Sequence, residues 1–183
     1  LSQVEILAKS VGKLNNGYFR AIKILMKIAV MFNGRKENPL PKHEIRAKAQ
    51  EYLVRLSQCH AFEEEIGLLK KDPNAQMPKS SELYRLSPFL DENGILRSKS
   101  RLQNIEKTTY DRAFPMILKG KCPLARSLIE HIHRQYKHTV SLNAMFAVLY
   151  DKYLILNLAR VNREIMKNCL RCRWDAAKQV PTL

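Results

Sequence analysis

Apolar residues recur at helical spacing through the first third of the chain. From Tyr18 to Phe32, Ile22, Leu25, Met26 and Ala29 fall on one side, with Lys23 and Lys27 on the other, and Asn33-Gly34 ends the run. The charged stretch Arg35 to Pro41, with Pro39 and Pro41, reads as a linker. A longer helix is expected from about Lys42 to Lys70 on the line Ile45, Ala49, Tyr52, Leu53, Leu56, Phe62, Ile66 and Leu69. Glu63-Glu64-Glu65 reads as its solvated face rather than a catalytic group, because no metal-ligand spacing accompanies it.

Asp72-Pro73-Asn74, Pro78 and two serines interrupt the pattern between Lys71 and Ser81. Beyond them, Asp91-Glu92-Asn93-Gly94 reads as a turn into a short strand, Gly94 to Arg97, and Phe114 to Leu118 as a second strand. Helical spacing returns after Pro123, a residue suited to a first helical turn, with Leu124, Leu128, Ile132 and Tyr136. Ser141 is placed to cap a helix carrying Leu142, Met145, Phe146 and Leu149, and a third helix is expected from Ala159 to Asn168. The expected architecture is mainly α: a helical region over 1–71, a linking segment with short strands over 72–120, a three-helix domain over 121–174, and a tail over 175–183.

Composition narrows the function. The 183 residues include 32 Lys and Arg against 17 Asp and Glu, a formal charge of +15, which favours polyanionic partners, nucleic acid ahead of anionic membrane. The most apolar run, Ala21 to Phe32, is shorter than the ~20 residues of a spanning helix and holds two lysines. Leu1 opens the chain with no signal-peptide pattern, so the expectation is a segment of a longer, intracellular polypeptide with reduced cysteines.

Three short helices over 121–174 enclose little apolar surface and call for a staple. His133, His138, Cys169 and Cys172 can supply it. Two imidazoles and two thiolates suit a closed tetrahedral zinc site, and Cys-x-x-Cys presents both sulfurs to one ion. Lys167, Arg171 and Arg173 are expected to help hold the thiolates deprotonated. His131 is the alternative first ligand, but it stands seven residues from His138, about 10 Å along an unbroken helix. His133 near the helix end needs less distortion. Cys59, Cys122, His43 and His60 read as ordinary core or surface residues.

These residues resemble the zinc-binding N-terminal domain of retroelement integrases, with the closest similarity to the BEL/Pao class of long-terminal-repeat retrotransposon polyproteins. Leu86-Ser87-Pro88-Phe89-Leu90-Asp91-Glu92-Asn93-Gly94-Ile95-Leu96-Arg97 resembles the segment before that domain. Phe114 to Leu118 and the His-His-Cys-Cys order follow, and Ala49 to Leu69 resembles the preceding helical stretch, so the likeness covers about residues 45–174. The chain has Thr139-Val140 where that family usually has glycines, and Arg97-Ser98-Lys99-Ser100-Arg101 in place of a Gly-Gly turn. Both changes are expected to restrict the backbone.

The resemblance implies a Zn2+-binding, non-catalytic segment, since no room for an integrase core follows Trp174. It implies contact with the DNA ends of the element and self-association, or assembly with the rest of an integrase, in the nucleus or a cytoplasmic retroelement particle. From Lys121 to Trp174 the chain has ten Lys and Arg against three Asp and Glu, which agrees with phosphate binding. Lys137, Arg160, Arg163, Lys167, Arg171 and Arg173 are the expected contacts. The alternative is a domesticated or degenerate zinc-stabilised protein-interaction module with no DNA role. A metal-free basic helical DNA-binding protein is a weaker reading.

Overall fold

A computed structural model describes Ile24 and residues 41–178. The helix expected from Tyr18 to Phe32, Ile24 apart, and the end of the tail lie outside the described residues. What is described is mainly helical, with one small four-stranded sheet.

The single helix expected from Lys42 to Lys70 is two. Helix α1 spans Lys42–Ala61 and α2 spans Glu63–Lys71. Between them Phe62 leaves helical geometry (φ −137°, ψ 42°) and buries its ring, 2% exposed. Glu63, Glu64 and Glu65 thus occupy the first turn of α2, where the helix dipole favours anions. The acidic run marks a helix start rather than a mid-helix face.

Strands β1 (Pro88–Leu90) and β2 (Leu96–Ser98) form a hairpin, with Phe89 opposite Arg97. Asp91 builds its turn: Oδ1 accepts from the Asn93 and Ile95 amides at 3.0 and 2.8 Å, and Gly94 takes the left-handed conformation. Asp91 Oδ2 and Asp111 Oδ1 grip the buried Arg97 guanidinium at 2.6 and 2.9 Å. Burial alone would lower the pKa of Arg97; the hydrogen bonds and the charges of Asp91 and Asp111 together more than offset that and raise it.

After a 3₁₀ turn (Arg101–Asn104) and a one-turn helix α3 (Tyr110–Ala113), β3 (Met116–Lys119) pairs antiparallel with β2. Helices α4 (Pro123–Gln135) and α5 (Leu142–Tyr150) then cross to β4 (Tyr153–Leu156), which pairs with β3 in parallel from Met116↔Tyr153 to Lys119↔Leu156. Helices α6 (Leu158–Asn168) and α7 (Leu170–Lys178) complete the described chain. Ser141 Oγ caps α5 by accepting from the Ala144 amide, as its position predicts. Strands β1 and β4 and helix α7 were not foreseen from the sequence.

The sheet is buried on both faces. Met116 and Leu118 point to a core shared with Leu53 of α1, Ile129 of α4, Met145 of α5 and Val161 of α6. Ile117 points the other way, to Phe62, Ile66 and Leu83. Positions 71 and 120 therefore lie within one continuous packing unit: α1 and α2, from before residue 71, pack on the sheet, and β3 and β4 come from either side of residue 120.

Candidate metal centre

Helix α4 ends in a Schellman motif, and that turn brings the two histidines together. The His138 amide donates to the His133 carbonyl at 2.9 Å, and the Lys137 amide to the Arg134 carbonyl at 3.0 Å. Lys137 holds the left-handed position that glycine usually fills (φ 50°), and His138 is left-handed too (φ 69°). The left-handed positions are thus 137 and 138, and the backbone at Thr139-Val140 is not restricted by the loss of glycines there. The Arg97 to Arg101 segment has no left-handed residue, so the backbone there is not restricted by the loss.

The result is a close imidazole pair, His138 Nδ1 lying 2.8 Å from His133 Nε2. The cysteines arrive from the α6–α7 junction, Cys169 between the helices and Cys172 in the first turn of α7. Cys169 Sγ is 3.2 Å from His138 Nδ1, and Cys172 Sγ is 3.2 Å from His133 Nε2 and 3.8 Å from His138 Nδ1. All four donor atoms lie within 4.8 Å of one another, a group that can hold a metal ion. His131 is exposed and outside this cluster, since two residues along a helix turn its side chain about 200° away.

Burial differs across the cluster. His133 is 3% exposed and the other three donors are half-buried. Burial lowers the pKa of His133, with His138 and Arg134 adding to the shift and Glu130 opposing it, so its imidazole is neutral at pH 7 and keeps a lone pair for a cation. The Cys172 thiol is pushed up to about 11 by burial, by its hydrogen bond with Cys169 and by the charges of Cys169 and Asp175. The basic neighbours expected to lower it are not among the causes of that shift. Arg171 is tied to Asp175 at 3.1 Å, and Arg171, Arg173 and Lys167 are all exposed to screening water. A cation in the cluster would have to displace the Cys172 proton itself. Glu130 and Asp175, which bias these titrations, carry no ligand-spacing signal in the sequence.

The six expected phosphate contacts are all exposed. Lys137 sits in the histidine turn; Arg160, Arg163 and Lys167 lie on α6, and Arg171 and Arg173 on α7. Arg160 is paired with Glu164 at 3.3 Å and Arg163 Nε donates to the Ala159 carbonyl, so the six do not form one uncommitted stripe. Among the described residues no helix is long and apolar enough to cross a membrane. No protein-family model, curated protein or solved structure matches this chain.

Proposed function

We propose that the chain is a zinc-stapled, non-catalytic module of the integrase type, from a BEL/Pao-like retroelement polyprotein, that binds DNA and supports assembly of an integrase. The observation that carries this reading is the convergence of His133, His138, Cys169 and Cys172 from two helix ends 31 residues apart in sequence. At tetrahedral angles, Zn–N bonds of about 2.0 Å and Zn–S bonds of about 2.3 Å separate N from N by about 3.3 Å, N from S by about 3.5 Å and S from S by about 3.8 Å. Four of the six donor spacings, at 2.8 to 3.8 Å, differ from those values by half an ångström or less, and all six lie within 4.8 Å. Zinc suits a closed set of two imidazoles and two thiolates better than the harder divalent cations do.

Zinc would then fix the end of α4 to the α6–α7 junction, and its binding energy becomes folding energy for this end of the molecule. The excess of positive charge supports nucleic acid as the partner. The test is elemental analysis of the purified chain with circular dichroism before and after a strong chelator. About one zinc per chain, with helix lost on chelation, is expected; no zinc and an unchanged spectrum under reducing conditions would sink the reading.

A protein-interaction role has one observation of its own. Leu170 and Trp174, one turn apart on α7, are 78% and 69% exposed beside Cys172. Salt separates the two readings: DNA affinity should fall steeply with ionic strength, whereas docking through these side chains should not.

A further inference from the structure

A basic cavity lies at the opposite end of the two helices that carry the metal ligands. Strands β3 and β4, parallel and adjacent, both end there, and the chain leaves them through Lys119-Gly120-Lys121 and Asn157. The cavity measures about 350 Å³, and Lys119, Lys121, Arg126 and Arg160 are among its lining residues, the Lys119 ammonium also lying 5.9 Å from the centre of the Phe62 ring. Gly120 lets its walls meet, because a Cβ there would stand 2.2 Å from the Leu156 carbonyl oxygen and 2.9 Å from a Val161 methyl. No other residue type fits that approach without moving the backbone.

The cations exceed the acids in the lining. Glu82 and Glu164 oppose the four in the lining and Glu130, outside it, pairs with Arg126, leaving a surplus of one positive charge. Neither Lys119 nor Lys121 forms a salt bridge among the described residues. Arg126 and Arg160 each engage a glutamate one turn on, at 3.3 Å, through Nε, so their terminal nitrogens stay available to a second anion. Two guanidinium and two lysine side chains in one lining offer more donors than the two oxygens of a carboxylate can take, and suit a phosphate with its further acceptor oxygens.

We infer that this cavity seats one backbone phosphate of a nucleic-acid strand, held jointly by Lys119, Lys121, Arg126 and Arg160. The inference rests on the DNA-binding reading and adds a defined contact to it. Seven residues separate Arg126 from His133 on α4 and nine separate Arg160 from Cys169, so the cavity stands about 10 to 13 Å along the helices from the metal ligands. Fixing the ligand ends would fix the spacing of the two arginines.

The test measures the affinity of the full chain for a short DNA duplex from 0.1 to 1 M salt. It compares wild type with Lys121→Gln/Arg160→Gln and with Lys42→Gln/Arg46→Gln, which removes two exposed charges on α1. Zinc content and circular dichroism, expected unchanged, report folding. One lost phosphate lowers the slope of log affinity against log salt by about 0.9, which is about eightfold in affinity at 0.1 M salt. That drop in the cavity variant alone, recovered by Lys121→Arg/Arg160→Lys, is the expected result.

An unchanged slope overturns the cavity while leaving DNA binding in place, and equal drops in both double variants mean that only net charge counts. A drop of about 1.8 means two separate phosphates rather than one shared one, and also overturns it. Wild type that fails to bind DNA fails the underlying reading, and the cavity with it.

Discussion

The carboxamide of Gln58 pairs with the backbone of Leu96 as a neighbouring strand would. Its Oε1 accepts from the Leu96 amide and its Nε2 donates to the Leu96 carbonyl, both at 2.8 Å, and Nε2 also donates to the Ile117 carbonyl at 2.7 Å. Gln58 is 1% exposed, so a side chain of α1 replaces a rung of the ladder between β2 and β3. Gln58→Leu keeps the volume but leaves three buried backbone groups without partners. At about 1 kcal/mol or more each, the expected loss is roughly 3 kcal/mol of stability, read as a lower urea midpoint.

Lys137→Gly should stabilise the protein. Lys137 holds a left-handed conformation that costs an L-residue about 1 kcal/mol, and glycine removes that cost at a Schellman position. Part of the gain is returned through the more flexible unfolded chain. The expected net is a gain of about 0.5 kcal/mol in the metal-loaded protein, measured by thermal or urea unfolding. A fall in stability would mean that the Lys137 side chain has a role its exposure does not suggest.

His131→Ala and His133→Ala should separate cleanly. The first removes an exposed imidazole outside the cluster and should keep about one zinc per chain. The second removes the most buried donor and should lose the metal together with helix content on dialysis. If His131→Ala also lost the metal, the histidine pairing seen here would be wrong.

Metal affinity should rise with pH through the lowered pKa of His133 and on toward that of Cys172. Below its lowered pKa His133 is protonated and cannot bind, and Cys172, with a pKa pushed up to about 11, still carries its proton at pH 7. Zinc uptake at pH 7 should therefore release protons, seen as binding heats that differ between buffers of different ionisation enthalpy. The metal-free chain has a separate dependence. Because the folded pKa of His133 lies below its ordinary 6.5, this group contributes stability above 6.5 that is lost as pH falls through the folded value.

Periodicity revealed α4, α5 and most of α6, because each buries one apolar stripe against the sheet. The donor set was legible as well, from spacing alone. Tyr153–Leu156 was not, since a four-residue apolar run between helices has no period that distinguishes strand from helix end. Pro88–Leu90 is shorter still. Phe62 broke an apolar line that continued through it, and only the acids behind it signalled a new helix start. Gln58 carries no signal in the sequence, because its partners are backbone groups, which no side-chain pattern reveals. Lys119, Arg126 and Arg160 likewise meet only because β3 and β4 run in parallel.

The parallel pairing of β3 and β4 also limits where the chain can be divided. A fragment beginning at Lys121 would keep the proposed zinc ligands and all of β4, yet lose β3 and the Gln58 bridge from α1. Tyr153–Leu156 would then present an open hydrogen-bonding edge flanked by apolar side chains on both faces, with Tyr153 and Ile155 on one and Leu154 and Leu156 on the other. Bare edges of that kind recruit one another. The fragment should load zinc and still self-associate through β4, whereas the same sequence beginning upstream of Lys42 brings its own cover for that edge.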